Sequence, residues 1–115
     1  MMTTSSTILE REVEAYLVRR VTAIGGVAEK TISPGSRGYF DRVVVLPGGQ
    51  VFFVETKKPK ASTTSAHQKA RHRRYRAIGA EVRVVKTLAQ VDRLIDVEWR
   101  GGVDLSGFGS DLADP

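Results

Sequence analysis

Three features of the sequence predict an α/β or α+β sandwich with a mixed central sheet flanked by helices, in the element order αβββαβα. Two almost continuously apolar, β-branched runs, Phe40–Leu46 and Gln50–Lys57, flank the turn signal Pro47-Gly48-Gly49. Two other stretches, 9–24 and 88–95, repeat apolar residues at helical spacing. The chain has 115 residues, which is one domain's worth and buries about 65% of its unfolded surface, enough for one core without staples.

The elements follow in order. Residues 1–6 are polar. Thr7-Ile8-Leu9-Glu10 reads as a capping box, with Thr7 the cap and Glu10 reaching back, so the first helix starts near Thr7. Leu9, Val13, Tyr16, Leu17, Val21 and Ile24 form its buried stripe, and Gly25-Gly26 ends it. Val27–Ile32 is a short strand and 33–38 a loop. The two central strands follow, and their unbroken apolar character predicts a sheet covered on both faces. Lys58–Thr64 is a loop, and Ser65-Ala66-His67-Gln68 is a second capping box opening a helix that ends at Gly79. Glu81–Lys86 is a strand. Thr87-Leu88-Ala89-Gln90 opens the last helix, with Leu88, Val91, Leu94 and Ile95 inward and Trp99 packing at its end. Residues 1–100 make one domain, and the glycine-rich, acidic stretch 101–115 reads as a flexible tail.

Composition narrows the chemistry. No cysteine is present, which excludes disulfides, thiol catalysis and cysteine-held metal clusters. Two histidines, His67 and His72, are too few for most histidine-rich metal sites and read as surface residues. No apolar run approaches the ~18 residues that span a membrane, and the N-terminus lacks the basic start and apolar core of a signal peptide. The expectation is a soluble protein of the cytoplasm, without a membrane partner. The formal charge is +5, and setting aside the tail acids Asp104, Asp111 and Asp114 raises it to +8. Between Thr56 and Ala80 there is no acid, while Lys57, Lys58, Lys60, Lys69, Arg71, Arg73, Arg74 and Arg76 all fall there. Such a block is either a solvated face or a polyanion-binding surface.

Charges also interrupt the central strands. Asp41 opens one, on the face of Val43 and Val45; Glu55 and Lys57 end the other, on the face of Val51 and Phe53. One reading is a strand end emerging into solvent with a surface ion pair. The other is a hard-cation site, in which two carboxylates hold Mg²⁺ and the ammonium orients water or stabilises charge on a phosphate. The second requires both carboxylates on one face. A two-residue turn would pair Arg42 with Glu55 and send Asp41 to the opposite face. A three-residue Pro47-Gly48-Gly49 loop, combining a type I turn with a left-handed Gly49, pairs Leu46 with Gln50 and Asp41 with Glu55. A bulge nearer the site restores the same parity.

Gly35-Ser36-Arg37-Gly38-Tyr39-Phe40-Asp41-Arg42 followed by Glu55-Thr56-Lys57 resembles the signature of the PD-(D/E)XK nuclease superfamily. The closer resemblance is to its VRR-NUC (virus-type replication-repair nuclease) family, in the small stand-alone phage and bacterial form. It covers about residues 8 to 97 and rests on an ordered set: a helix ending in Gly-Gly, a glycine loop into Asp-Arg, a Pro-Gly-Gly turn, an E-x-K strand, an S-x-x-Q helix start and a Gly-Xaa-Xaa-Val-x-Val-Val strand. The family's proline before the aspartate is Phe40 here.

The resemblance implies a restriction-endonuclease-like core and a metal-dependent DNA endonuclease acting on structured DNA, such as Holliday junctions or flaps, in replication, recombination or repair. It implies Mg²⁺ or Mn²⁺ held by Asp41, Glu55 and the Thr56 carbonyl, with Lys57 catalytic and Gln68 beside the site. Related archaeal junction resolvases begin Glu-Arg-Glu-Leu, which aligns with Glu10-Arg11-Glu12-Val13. Glu10 also lies about 50° from the apolar stripe against about 90° for Glu14, so Glu10 is favoured as the first-helix acid and Glu14 is the reserve. Glu10 as a cap residue is the alternative. Beside such a site Arg37, Arg42, Lys58, Lys60, Lys69, Arg71 and Arg74 become candidate DNA contacts, with Arg37 and Arg42 equally able to pair with a carboxylate. Stand-alone members tend to be homodimers, implying a homodimer in a bacterial or phage-infected cell. The rival expectation is a catalytically silent nuclease fold that binds nucleic acid through its basic helix.

Overall fold

The computed structural model describes residues 9–31, 40–57 and 66–101. Their elements are α1 (Glu10–Ala23), β1 (Val27–Lys30), β2 (Arg42–Leu46), β3 (Gln50–Thr56), α2 (Ala66–Ala77), β4 (Glu81–Val85) and α3 (Leu88–Arg93), which runs on as a π-helical turn over Leu94–Glu98. The expected order is reproduced. The strands form one sheet in the order β1-β2-β3-β4, antiparallel except for the β3–β4 pair, which is parallel.

Alternation along the strands separates two faces. On one, Val44, Leu46, Phe52, Val54 and Val85 pack against Val13, Leu17 and Val21 of α1 and against Val91, Leu94 and Ile95. These side chains are all but completely removed from water, and burial on this scale contributes about 1.5–3 kcal/mol for each large side chain. Tyr16 and Arg20 of α1 tie this helix to α3, both donating to Asp92 at 2.6 Å. On the other face α2 covers the end of the sheet near β4, over Phe53 and Val82.

The boundaries differ from the sequence expectation at the start of α1 and at the strand ends. Helix α1 starts at Glu10, with Leu9 as its cap residue, so the side chain that reaches back is Glu12 rather than Glu10: Leu9 N–H donates to Glu12 Oε1 at 3.0 Å. Thr7 lies outside the described residues, as do Ser65, Ile32 and the tail from 102. The strands are one or two residues shorter than their apolar runs; Phe40 and Asp41 precede β2, and Lys57 follows β3. The last helix does begin as expected, with the Thr87 hydroxyl accepting from Gln90 N–H, and Trp99 packs as expected, donating Nε1–H to the Pro47 carbonyl at 2.9 Å.

The turn between β2 and β3 has the expected three-residue length. Leu46 pairs with Gln50, and the register continues through Val44–Phe52 to Arg42–Val54. Its type differs from the expectation. Gly49 N–H donates to the Leu46 carbonyl at 2.9 Å. Gly48 takes φ 98°, the left-handed position that follows proline in a type II turn, and Gly49 is left-handed too, at φ 89°. A Cβ at Gly49 would touch nothing within 4 Å, so substitution there isolates backbone strain. Gly49→Ala should lower unfolding stability by about 1–2 kcal/mol in urea denaturation without changing the sheet; an unchanged midpoint would show that the turn relaxes freely.

Candidate active site

The odd-length turn brings the ends of β2 and β3 together, and Asp41 is near enough to Glu55 to act on it electrostatically. Pairing is distorted just there. Asp41 N–H donates to the carbonyl of Val54 at 3.1 Å, although Val54 is already the partner of Arg42. Two residues thus share one partner, the pattern of a β-bulge. The Asp41 side chain substitutes for the missing ladder bond: its Oδ2 accepts from Thr56 N–H at 2.7 Å and from the Thr56 hydroxyl at 3.0 Å.

Glu55 is not at a solvated strand end. It is 5% exposed, and one of its oxygens, Oε1, is buried without a hydrogen-bond partner among the described residues. The other, Oε2, accepts from Gln68 Nε2 at 2.5 Å and lies 3.8 Å from Lys57 Nζ. Lys57 in turn donates to Gln68 Oε1 at 3.2 Å. Gln68, in the first turn of α2, therefore bridges the base and the acid. Burial pushes the Glu55 carboxyl up to about 7; Asp41 and Glu10 push the same way with negative charge, while Lys57 and Arg71 oppose them. Four expected site residues, Asp41, Glu55, Lys57 and Gln68, are thus gathered at one end of the sheet, with Glu10 close enough to act on Glu55 electrostatically.

The orphaned oxygen has a physical meaning. A buried carboxylate oxygen without a donor costs about 1–3 kcal/mol or more, and a cation is the partner that removes that cost. Hard oxygen donors from Asp41 and Glu55 suit a divalent ion of the Mg²⁺ type. Among the described residues, no three His, Asp or Glu side chains gather closely enough to form a metal cluster by themselves. The donor set would have to be completed from elsewhere, as by the Thr56 carbonyl.

Other expected residues lie apart from this cluster. Arg42 alternates to the opposite face, where its Nε donates to Glu14 at 2.8 Å and its Nη1 to the Ala28 carbonyl at 2.8 Å. Of the two expectations for Arg42, pairing with a carboxylate is the one realised, and it also occupies the reserve acid Glu14. His72 is buried rather than on the surface. It stacks on Phe40 with ring centroids 5.5 Å apart, and Phe53 and Tyr75 complete the cluster. It takes the place of a core hydrophobe on α2, and burial lowers its pKa, helped by Arg76, Arg71 and Lys57. His67 is exposed as expected. It lines a groove of about 560 Å³ together with Arg71, Arg74, Tyr75 and Ile78 along α2. Lys69 is exposed on the same helix. Arg37, Lys58 and Lys60 lie outside the described residues.

Comparison with known proteins agrees with this geometry. A solved structure described as a VRR_NUC domain superposes with a TM-score of 0.71, at 38% identity, covering 78% of this chain and 97% of that one. The chain belongs to the VRR-NUC family. The phage protein named "Putative nuclease p44", from Acyrthosiphon pisum secondary endosymbiont phage 1, is 45% identical over 78 residues, 68% of this chain and 83% of its own length. No family model matches the chain. The expected restriction-endonuclease-like core is therefore the observed one. Among the described residues no helix is long and apolar enough to cross a membrane.

The position of Glu55 has a consequence for stability. Its carboxyl titrates near 7 in the folded chain against an ordinary 4.5, so the folded state favours the neutral acid. The stability that favours is fully present below about pH 4.5 and is lost as pH rises towards 7. In EDTA at pH 8, Glu55→Gln should be more stable than the parent by about 1–3 kcal/mol. At pH 4 the two should unfold alike. Equal stabilities at pH 8 would mean that Glu55 carries its charge without strain.

Proposed function

We propose that this VRR-NUC protein is a divalent-metal-dependent deoxyribonuclease that cuts branched DNA, Holliday junctions or flaps, in replication, recombination or repair in the cytoplasm of a bacterial or phage-infected cell. One observation carries the reading: a buried, donorless carboxylate oxygen on Glu55, beside Asp41 and within reach of Lys57. Asp41 and Glu55, with the Thr56 carbonyl, would hold Mg²⁺ or Mn²⁺. When bound, such an ion lowers the pKa of water and stabilises the leaving oxygen of a phosphodiester.

The chain's own residues supply the rest. Lys57 offsets negative charge developing on the scissile phosphate and orients the attacking water. Gln68 keeps the Lys57 ammonium beside Glu55. Glu10 is the first-helix acid that serves the site, since Glu14 is engaged by Arg42. Arg71 and Arg74 lead from the site along the α2 groove and bind the DNA backbone, with Lys69 beside them and Arg37, Lys58 and Lys60 as further contacts. Phosphate contacts carry no sequence information, so DNA is chosen by shape. A homodimer suits a four-way junction, because symmetry supplies the second cut. Val27, Val45 and Val51 form one cross-strand row on the site face of the sheet. Val27 and Val51 are 46% and 37% exposed, giving a second copy an apolar strip to cover.

Asp41→Ala, Glu55→Ala and Lys57→Ala should each reduce cleavage of a four-way junction at least 10²-fold, with DNA still shifted in a gel. Cleavage should need Mg²⁺ or Mn²⁺ and stop in EDTA. Near-normal turnover in two of the three variants would remove the site. DNA binding without metal-dependent cleavage of branched, flapped or linear DNA would favour a silent binding protein instead.

Arg71→Ala and Arg74→Ala should each weaken junction binding and reduce the slope of log K against log salt by about one. An unchanged slope would return the α2 face to a solvated surface.

A further inference from the structure

Both carboxylates have an oxygen bound by protein donors. Glu55 gives Oε2 to Gln68 and leaves Oε1 buried without a donor. Asp41 gives Oδ2 to two donors from one residue, the Thr56 N–H and the Thr56 hydroxyl. Thr56 is 1% exposed. Its strand position pairs with Val85 and follows the parity of Phe52 and Val54, on the core side of the sheet. A hydroxyl buried there needs a partner, and Asp41 Oδ2 is the acceptor the structure provides.

We propose that the Thr56 side chain is a positioning residue. Its hydroxyl pins Asp41 Oδ2 and so fixes the orientation in which the carboxylate would meet a metal. The inference rests on the metal-site reading and deepens it. A free aspartate carboxylate rotates about its terminal torsion, which is broad and two-fold, and can offer either oxygen or both. Two donors on one oxygen remove that choice before the cation arrives. The backbone N–H alone would remain in any variant, so the hydroxyl is the part that mutation can test. Thr56→Val keeps the branched shape and loses the donor. Thr56→Ser keeps the donor and loses a methyl.

The measurement is Mn²⁺ binding to the DNA-free protein by isothermal titration calorimetry, with Asp41→Asn as the reference for loss of the site and thermal unfolding to confirm folding. Loss of an outer-shell partner to a metal ligand weakens affinity roughly 10- to 100-fold. With the N–H retained, Thr56→Val should fall at the low end, about tenfold weaker, and Thr56→Ser should stay within about twofold of the parent. Because the residue acts on the metal, the Mn²⁺ concentration giving half-maximal junction cleavage should rise about tenfold in Thr56→Val. Parent-like Mn²⁺ affinity in a folded Thr56→Val protein overturns the inference and leaves the metal site standing. A parent protein that binds no Mn²⁺, or binds it equally in Asp41→Asn, overturns the metal-site reading itself. If Thr56→Val does not fold, Thr56→Ala joins Thr56→Ser; equal Mn²⁺ affinities in those two proteins overturn the inference.

Discussion

The pairing of Leu46 with Gln50 across an odd-length turn is the constraint on which the rest of the site depends. Side chains alternate at every residue of a strand, so a loop shorter by one residue would put Phe53 and Glu55, in place of Phe52 and Val54, on the face of Val44 and Leu46. With the register as it is, the apolar set Val44, Leu46, Phe52 and Val54 faces α1 and α3, and the charged set emerges towards α2. The core and the site are thus two consequences of one parity. Two left-handed glycines hold that parity, in positions where side chains with a Cβ carry a steric penalty. The bulge at Asp41 then ends the regular ladder, and the aspartate carboxylate takes over the Thr56 N–H that the ladder no longer satisfies.

The site places charge where the fold would otherwise place hydrophobes. Glu55 is as inaccessible as many core residues, and its raised pKa reflects the cost of ionising it there. That cost is partly offset by Lys57 and Gln68, both of which depend on α2 lying over the end of β3. On the opposite face Arg42 is neutralised by Glu14 and by a β1 carbonyl. The two ion pairs have different characters. Arg42–Glu14 is closed at 2.8 Å and satisfied on both sides, which suits a structural role. Lys57–Glu55 is loose at 3.8 Å and leaves an oxygen over, which suits a site completed by something bound.

Local signals were legible in the sequence, and signals that depend on packing were not. The length of the Pro-Gly-Gly turn, the helix end at Gly25 and the Thr87 cap each act within four residues, and each forms as read, whereas the turn's type differs because Gly48 as well as Gly49 is left-handed. The register that puts Glu55 on the face away from the core was legible because strand parity is arithmetic once the loop length is known. Burial of His72 was hidden because α2 carries almost no apolar residues, so no periodicity marks its inward side. The side chain of Thr56 was hidden by the same parity that revealed Glu55, since alternation assigns it to the other face. Only the bulge lets Asp41 reach it. Arg42 stood beside Asp41 in the sequence and for that reason lies on the opposite side of the sheet.

Phe40 links these observations. It stands where the family resemblance places a proline, a residue that shapes backbone and makes no large contacts. Here the ring is 4% exposed and meets Phe53, His72 and Tyr75 at centroid distances of 5.1–5.5 Å. Aromatic contacts of this kind contribute roughly 0.5–1.5 kcal/mol each beyond the area they bury. Two of the three partners belong to α2, so the residue before Asp41 is fastened to the helix that carries Gln68 and Arg71. The entry to β2 is thus held from outside the sheet, by packing, where a proline would restrain it through its own φ. His72 serves that packing only as a neutral ring. Burial and the cations of Arg76, Arg71 and Lys57 keep it so by lowering its pKa. The basic character of α2 therefore does two things at once: it presents arginines along the groove, and it adds to burial in disfavouring a charge on the histidine beneath them, whose ring stacks on the residue that precedes Asp41.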